Sequence, residues 1–166
     1  MNITRRSAFV LIGAAAFALT GCSAEQPEVE SDKELALAYL QSDEVQNYTK
    51  LSDLLADCEM LYAQGNYEEC YDKYEEICEI ADALIDMENV PEIASKSHEH
   101  LTDNASITKE VALSYAMATT ALNSGNTETH DKLIVGIDDK VELLTESADR
   151  AAVALNEMNE KVNRDE

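Results

Sequence analysis

The chain has 166 residues, and its 34 acidic and 12 basic side chains give a formal net charge of −22. Arg5 and Arg6 are the only basic residues before Lys33, so the remainder of the chain is more acidic still. A surface of this charge repels nucleic acid and anionic membrane faces, so we expect the folded part to be a poor partner for either. The length fits one domain that buries a hydrophobic core.

The first 21 residues have the organisation of a secretory signal peptide. Arg5 and Arg6 form a basic start, and an uncharged, mostly apolar run follows from Ala8 to Leu19. As a helix this run is too short to cross about 30 Å of hydrocarbon, so it does not predict a membrane span. We therefore expect residues 1–21 to be a signal peptide that is removed.

The apolar run ends in Leu19-Thr20-Gly21-Cys22, which resembles the lipobox of bacterial lipoproteins. The resemblance implies that the sulfur of Cys22 receives a diacylglyceryl group and that Cys22 becomes the new N-terminus. Acyl chains such as palmitate would then hold the protein at the extracytoplasmic face of a bacterial membrane. The alternative is an ordinary signal peptide followed by a chance cysteine.

Two short segments flank the predicted domain. Thr4-Arg5-Arg6-Ser7-Ala8-Phe9 resembles a twin-arginine export signal, although Phe9 lies one position later than is usual, and we favour Sec export. Residues 22–30 contain Pro27 and have no apolar periodicity, so we interpret them as a lipidated tether. Residues 164–166 are predicted to be a disordered tail.

Residues 31–163 are predicted to form one all-α domain without a sheet. Gly65, Pro91 and Gly125 lie where the apolar pattern restarts, and such residues mark turns between helices. The predicted helices cover residues 32–63, 67–88, 91–123 and 128–162.

Apolar residues recur along these segments in alternating steps of three and four, which places them on one stripe of an α-helix. The longest stripe runs from Ile134 to Val162. Gln64-Gly65-Asn66 and Ser124-Gly125-Asn126 each link one striped segment to the next. Because sustained spacing of this kind favours near-parallel packing, we predict an antiparallel bundle of about four long helices, built from two tandem helical hairpins.

Polar residues locate the first helix start and two interruptions. Ser31 with Glu34 forms a capping-box pattern. Ser42-Asp43 is predicted to restart the first helix, and Asp103-Asn104-Ala105-Ser106 to interrupt the third, because short polar side chains compete for backbone hydrogen bonds. Gly136 lies inside the last stripe, which indicates close packing or a local bend.

Residues 54–84 resemble a single degenerate tetratricopeptide repeat. Gly65 matches the turn glycine of that family, Tyr67 the aromatic residue that opens the second helix, and Tyr74 the later aromatic residue. The resemblance departs upstream, where Leu54 stands for the usual tryptophan. Since solenoids need about three repeats for stability, we expect the two hairpins to close on each other as a bundle.

Cys58, Cys70 and Cys78 remain once Cys22 is lipidated. Cys58 and Cys70 flank the Gly65 turn on facing stripes, and they take the two small-residue places at which paired tetratricopeptide helices come closest. We expect a Cys58–Cys70 disulfide, since such bonds persist outside the cytoplasm. The alternative is that the cysteines are small buried apolar residues, which is also the role we expect for Cys78.

No motif indicates catalysis, a metal or a cofactor, and we do not expect an enzyme. His98 and His100 point about 200° apart on a helix, so they cannot hold one metal ion. Residues 67–88 carry nine acidic side chains against Lys73. We interpret this acidic run as a solvated face; the alternatives are a surface for a cationic partner or diffuse screening by Ca²⁺ or Mg²⁺.

Two functions follow from these features. The first is a membrane-anchored interaction module that binds another envelope protein or a peptide through helix faces. The second is a small-ligand receptor with an inter-helix pocket, lined by Tyr67, Tyr71, Tyr74 and Tyr115. An interaction module should expose an apolar or aromatic groove, whereas a receptor should have a closed pocket of about 300 Å³ or more with convergent polar groups.

Overall fold

The computed structural model describes residues 31–163. The predicted signal peptide (1–21), the tether (22–30) with Cys22, and the predicted tail (164–166) lie outside the described residues. The described part is all-α, as predicted, and has no strand. Its helices are α1 (Asp32–Leu40), α2 (Asp43–Tyr48), α3 (Leu51–Gln64), α4 (Tyr67–Ile85), α5 (Ser95–Asn123) and α6 (Thr127–Asn163), with a 3-10 turn at Glu92–Ala94.

Two glycine turns divide the molecule into the two predicted hairpins, α3–α4 and α5–α6. Gly65 has φ 79° and Gly125 has φ 73°, the left-handed region that favours glycine. At the ends of α3 and α5, the amide of the residue after the glycine donates to the carbonyl five residues earlier. The Asn66 amide, for example, donates to the Leu61 carbonyl. Both hairpins therefore turn through the same type of C-terminal cap.

The central helix of the bundle is α5. It packs against α3 and α4 on one side and most extensively against α6 on the other. Small buried residues such as Ala105, Ala112 and Ala118 let these neighbours approach closely. The four main helices α3 to α6 thus form the bundle, and α1 lies against α6.

The first predicted helix is three helices in the structure. The predicted restart at Ser42-Asp43 is confirmed: the Ser42 hydroxyl accepts a hydrogen bond from the amide of Val45. A second break, at Thr49 and Lys50, was not predicted from the sequence. The two bends let α1 pack on α6 while α2 packs on α4, and a straight helix could not contact both.

The predicted interruption at residues 103–106 is wrong, since α5 is continuous there. Asn104 does not compete for the backbone of its own helix, because its amide is used between helices. Its Oδ1 accepts from the Tyr48 hydroxyl at 2.8 Å, and its Nδ2 donates to the Ser147 hydroxyl at 2.9 Å and to the Leu144 carbonyl at 3.4 Å. The buried side chain of Asn104 thereby joins α2, α5 and α6.

The connection between α4 and α5 is longer than predicted. Helix α4 ends at Ile85 and α5 begins at Ser95, inside the predicted bounds of 88 and 91. Asn89 has φ 60° in this link, and the carbonyl of Pro91 accepts from the amide of Ala94 to open the 3-10 turn. The chain therefore enters α5 through a 3-10 turn, which is wound more tightly than an α-helix.

Replacing Asn104 with alanine should strongly destabilise the bundle. The change leaves the buried Tyr48 hydroxyl without its acceptor, and an orphaned buried group of this kind costs about 1–3 kcal/mol. It also removes the bond that Asn104 donates to Ser147, whose hydroxyl keeps its own bond to the Leu144 carbonyl. We expect the free energy of unfolding, measured with urea, to fall by about 2–4 kcal/mol. Asn163→Ala, on the exposed end of α6, is the matched control and should change it by less than about 0.5 kcal/mol. An equally small change for Asn104→Ala would contradict this role.

Candidate functional site

The four tyrosines predicted to line a pocket fall into two groups of ring contacts. Tyr67 and Tyr115 both pack on Tyr62, with ring centroids 5.8 Å and 5.2 Å from it. Tyr71 and Tyr74 form their own pair on α4, with centroids 5.6 Å apart. Tyr115 is almost fully buried whereas Tyr71 is exposed, so the first group fills the bundle and the second lies at its surface.

Tyr62 is also the first member of a hydrogen-bonded chain that links α3 to α6. Its hydroxyl lies 2.5 Å from Nε2 of His130, whose Nδ1 lies 2.9 Å from a carboxylate oxygen of Asp131. Burial, and then the neighbouring Tyr67, raise the pKa of Tyr62 to about 12. The phenol therefore stays protonated near neutral pH, and the chain ties two helices rather than supplying a nucleophile.

The three histidines lie at separate places. His98 contacts the Tyr39 hydroxyl through Nδ1 at 3.2 Å, and burial lowers the pKa of His98. His100 lines a cleft with Lys96 and Arg150, whereas His130 lies beside Tyr62. Within residues 31–163 no group of three or more His, Cys, Asp or Glu side chains is arranged to hold a metal ion.

Cys58 and Cys70 are both fully buried, and their sulfurs are 3.1 Å apart across the α3–α4 hairpin. Both are free thiols in this structure, and the predicted disulfide stays a prediction. The hydrogen bond between them, with burial, raises the pKa of Cys58, and the same bond lowers the pKa of Cys70. Cys78 is half-buried beside Tyr74, and their hydrogen bond raises the pKa of Tyr74 to about 12.

The acidic side chains of α4 lie almost entirely at the surface. Asp82 is half-buried and receives two hydrogen bonds from Lys109 of α5, at 2.5 Å and 2.8 Å. This contact with Asp82 raises the pKa of Lys109. The pair links α4 to the central helix.

A surface of exposed and half-buried side chains runs along α5 and α6, the two helices that are in the most extensive contact. We call this surface the α5–α6 face. Its members are Lys96, His100, Glu110, Leu113 and Met117 of α5, and Gly136, Lys140, Leu143, Arg150 and Val153 of α6.

An ion pair crosses the middle of the α5–α6 face. Nζ of Lys140 lies 3.1 Å from a carboxylate oxygen of Glu110. Leu113 and Leu143 follow these two residues at i+3 on their own helices, so an exposed leucine lies on each side of the pair. Met117, which is 49% exposed, continues the apolar surface along α5.

Gly136 marks the same surface from α6. A side chain at this position would meet no atom within 4 Å, so close packing does not explain the glycine. Helix α6 also continues through it. The residue therefore leaves open space on this side of α6.

The other end of the α5–α6 face contains a cleft of about 250 Å³ that is open to solvent. Its lining mixes positive, negative and apolar side chains: Lys96, His100, Asp149, Arg150, Val153, Ala154 and Glu157. Nδ1 of His100 is buried there without a hydrogen-bond partner, and such an atom costs about 1–3 kcal/mol. None of the four predicted tyrosines lines this cleft.

Two features of the sequence point to this cleft. Arg150 is the only arginine between Arg6 and Arg164, and it interrupts a strongly acidic chain. Lys96 and His100 are also one helical turn apart. Their convergence with Arg150 depends on the antiparallel register of α5 and α6, which the sequence pattern does not specify.

None of the described helices is both long and apolar enough to cross a membrane. The chain matches no family model, and neither a curated protein nor a solved structure is significantly similar to it. Function is therefore inferred from the chemistry of the surfaces and clefts themselves.

Protein isolated without reductant should contain a Cys58–Cys70 disulfide. The bond closes a loop of about a dozen residues and should stabilise the fold by roughly 2–3 kcal/mol, because it restricts the unfolded chain. Thiol alkylation with mass spectrometry, and urea unfolding with and without dithiothreitol, measure both effects. Cys78→Ser should retain the reductant-sensitive stability and Cys70→Ser should lose it. Alkylation of all three thiols in the untreated protein would show that the pair is reduced.

Proposed function

We propose that this protein is a lipid-anchored, extracytoplasmic interaction module that binds a basic amphipathic helix of another envelope protein or peptide along the α5–α6 face. The exposed apolar surface of Leu113 and Met117, on the central helix of the bundle, is the observation that carries the proposal. The anchor, the binding surface, the helical shape of the partner and its positive charge are each supported by a different feature of the chain.

The anchor is supported by the signal-like N-terminus and by Leu19-Thr20-Gly21-Cys22. Eight residues separate Cys22 from the first described residue, Ser31, and an extended segment of that length spans at most roughly 28 Å. An acylated Cys22 would therefore keep the helical body close to the membrane surface, where other envelope proteins are concentrated.

The α5–α6 face is supported as the binding surface by its exposed side chains. Helix α5 is covered on most sides, and yet Leu113 and Met117 remain exposed on the narrow strip that is open. Leu143 of α6 extends the apolar surface across the Glu110–Lys140 ion pair. Exposed apolar side chains that adjoin one another and have a polar rim are typical of protein interaction sites.

The dimensions of this surface favour a helical partner. Lys96 and Met117 are separated by almost six turns of α5, or about 30 Å, which matches a partner helix of about 20 residues. A helix that lies in such a groove contacts it through residues spaced by three and four. The cleft at the Lys96 end is open and small, which favours a surface contact over a receptor with an enclosed pocket.

The charge of the body favours a basic partner. Removal of residues 1–21 would take away Arg5 and Arg6 and no acid, leaving 34 acidic against 10 basic side chains and a net charge of −24. Such a field speeds the approach of a positively charged segment and repels acidic ones. A basic amphipathic helix satisfies both the apolar groove and this field.

Replacement of Cys22 by serine should abolish anchoring. The wild-type chain should incorporate labelled fatty acid and fractionate with membranes, whereas Cys22→Ser should do neither, because the acylated sulfur is lost. Cys78→Ser is the matched control and should behave as the wild type. Mass spectrometry that finds an intact Met1 and an unmodified thiol at Cys22 would overturn the anchor.

Met117→Glu should weaken partner capture, because it places a charge in the apolar groove. Crosslinking in native membranes followed by purification should recover one reproducible partner from the wild type, joined through a basic amphipathic segment. We expect Met117→Glu to lower recovery by about tenfold, the effect of a central interface residue.

Met60→Glu is the matched control for this measurement. Met60 is 50% exposed, against 49% for Met117, and it lies on α3 two residues from Tyr62. It therefore points about 200° away from the side of α3 that contacts α5 and α6. Equal loss in both variants, or crosslinks that avoid the α5–α6 face, would contradict the proposed surface.

A further inference from the structure

We propose that α1 is a pH-sensitive strap, which packs on the bundle near neutral pH and is released when the imidazole of His98 is protonated. The release is a property of the helical body and does not depend on the function proposed above. Only its consequence for the distance between the body and the membrane rests on the proposed lipid anchor. The attachment of α1, the hydrogen bond of Tyr39 and the burial of His98 each support this role.

Helix α1 depends on its packing against the rest of the molecule. It has nine residues, and an isolated helix of that length is marginal in water. It packs against α6, the 3-10 turn and α2, and its buried side chains are Ala36, Tyr39 and Leu40. A break at Gln41 and Ser42 separates it from α2, so α1 can leave the bundle without displacement of the longer helices.

Tyr39 joins α1 to α5 through His98. Tyr39 is 2% exposed, and its hydroxyl lies 3.2 Å from Nδ1 of His98. The two rings also meet edge to face, with centroids 5.9 Å apart. Among the described residues the phenol has no other hydrogen-bond partner. A neutral imidazole can accept the hydrogen bond of this phenol at Nδ1.

Protonation of His98 removes that acceptor. Both ring nitrogens of an imidazolium carry a hydrogen, so Nδ1 can then only donate to the phenol oxygen. The hydroxyl hydrogen of Tyr39 is left buried without an acceptor, which is costly. The positive charge itself lies on a half-buried ring, which adds a desolvation cost. Release of α1 exposes both groups to water and relieves both costs.

The titration of His98 gives the direction of the pH dependence. Burial lowers the pKa of His98 from its usual 6.5, whereas burial raises the pKa values of Tyr39 and Tyr48, so both phenols stay neutral. Docking of α1 is therefore fully favoured above about pH 6.5 and weakens as the pH falls through the lowered pKa of His98. The elements around His98 also carry charged groups, which do not contribute to its shift: Lys33, Glu34, Glu92, Lys96, Glu99, Glu157 and Lys161.

Release of α1 would lengthen the connection between an acylated Cys22 and the bundle. With α1 packed, the segment from Cys22 to Ser31 spans at most roughly 28 Å. With α1 released, the connection extends to Asp43, 21 positions after Cys22, and spans at most roughly 70 Å. Acid would therefore let the anchored body meet partners farther from the membrane.

The test is hydrogen–deuterium exchange of the full chain in detergent at about pH 7.5 and about pH 5, a range that brackets the usual pKa of histidine. Mass spectrometry measures the exchange, which is corrected for the intrinsic effect of pH. We expect the protection of the α1 amides to fall about tenfold at the lower pH, because that pH lies more than one unit below the usual pKa. The protection of α5 and α6 should stay unchanged.

His98→Gln should remove this pH dependence, because its amide oxygen can accept the hydrogen bond of Tyr39 and does not titrate. His100→Gln, two residues along α5, is the matched control and should retain the loss of α1 protection at low pH. An NMR titration of the His98 imidazole in the wild-type chain needs no variant. Its midpoint should lie below about 6.5 and coincide with the opening of α1.

Four results would overturn the strap. One is equal protection of α1 at both pH values in the wild-type chain. Another is the same loss at low pH in His98→Gln, which would assign the pH dependence to a different group. A third is a simultaneous loss in every helix, which would show global unfolding. The fourth is a His98 midpoint that differs from that of α1 opening. An unmodified thiol at Cys22 would instead remove only the anchor, and release of α1 would still be measured.

Discussion

The arrangement of the bundle depends on the buried amide of Asn104. This side chain both accepts and donates hydrogen bonds, and its partners come from α2 and α6. A buried amide without partners is costly, so the bundle must place Tyr48 and Ser147 beside it. Apolar contacts alone would tolerate α6 sliding by a turn along α5. The hydrogen bonds of Asn104 would be broken by such a shift. They therefore select one register among several that bury similar hydrophobic surface.

That register decides what the surface presents. Three polar links are spaced along the α5–α6 contact. Ser97 donates to the carbonyl of Ala154, Asn104 donates to the hydroxyl of Ser147, and Lys140 pairs with Glu110. With α6 held in this position, Arg150 comes to the level of His100, and both line the cleft with Lys96. The exposed apolar side chains and the charged cleft are thus two results of the same helix alignment.

The strong negative charge of the body affects stability and recognition in opposite ways. Repulsion among the exposed acids of α4 opposes compaction, and pairs such as Lys109–Asp82 offset only a part of it. The same charge favours the approach of basic segments over acidic ones. A buried Cys58–Cys70 pair within the α3–α4 hairpin lies where an added bond would strengthen the most acidic part of the fold.

The sequence by itself determined the class of fold and most of its division into helices. The alternating three-and-four spacing has no other regular solution than helices, and Gly65 and Gly125 end them because few other residues adopt a positive φ without strain. Local capping chemistry likewise placed the restart at Ser42. These are short-range effects, and they can be read from neighbouring residues.

Only the tertiary structure decided the use of side chains whose partners are distant in the chain. Asn104 resembled a helix breaker because its local competition with the backbone was visible and its partners on α2 and α6 were not. Tyr67, Tyr71, Tyr74 and Tyr115 share spacing and chemistry, yet the packing of α4 on α5 separates them into a buried group and a surface pair. Arg150 joins Lys96 only through the register of α6. Such contacts depend on how whole helices align, and the energy that aligns them comes from residues far apart in sequence.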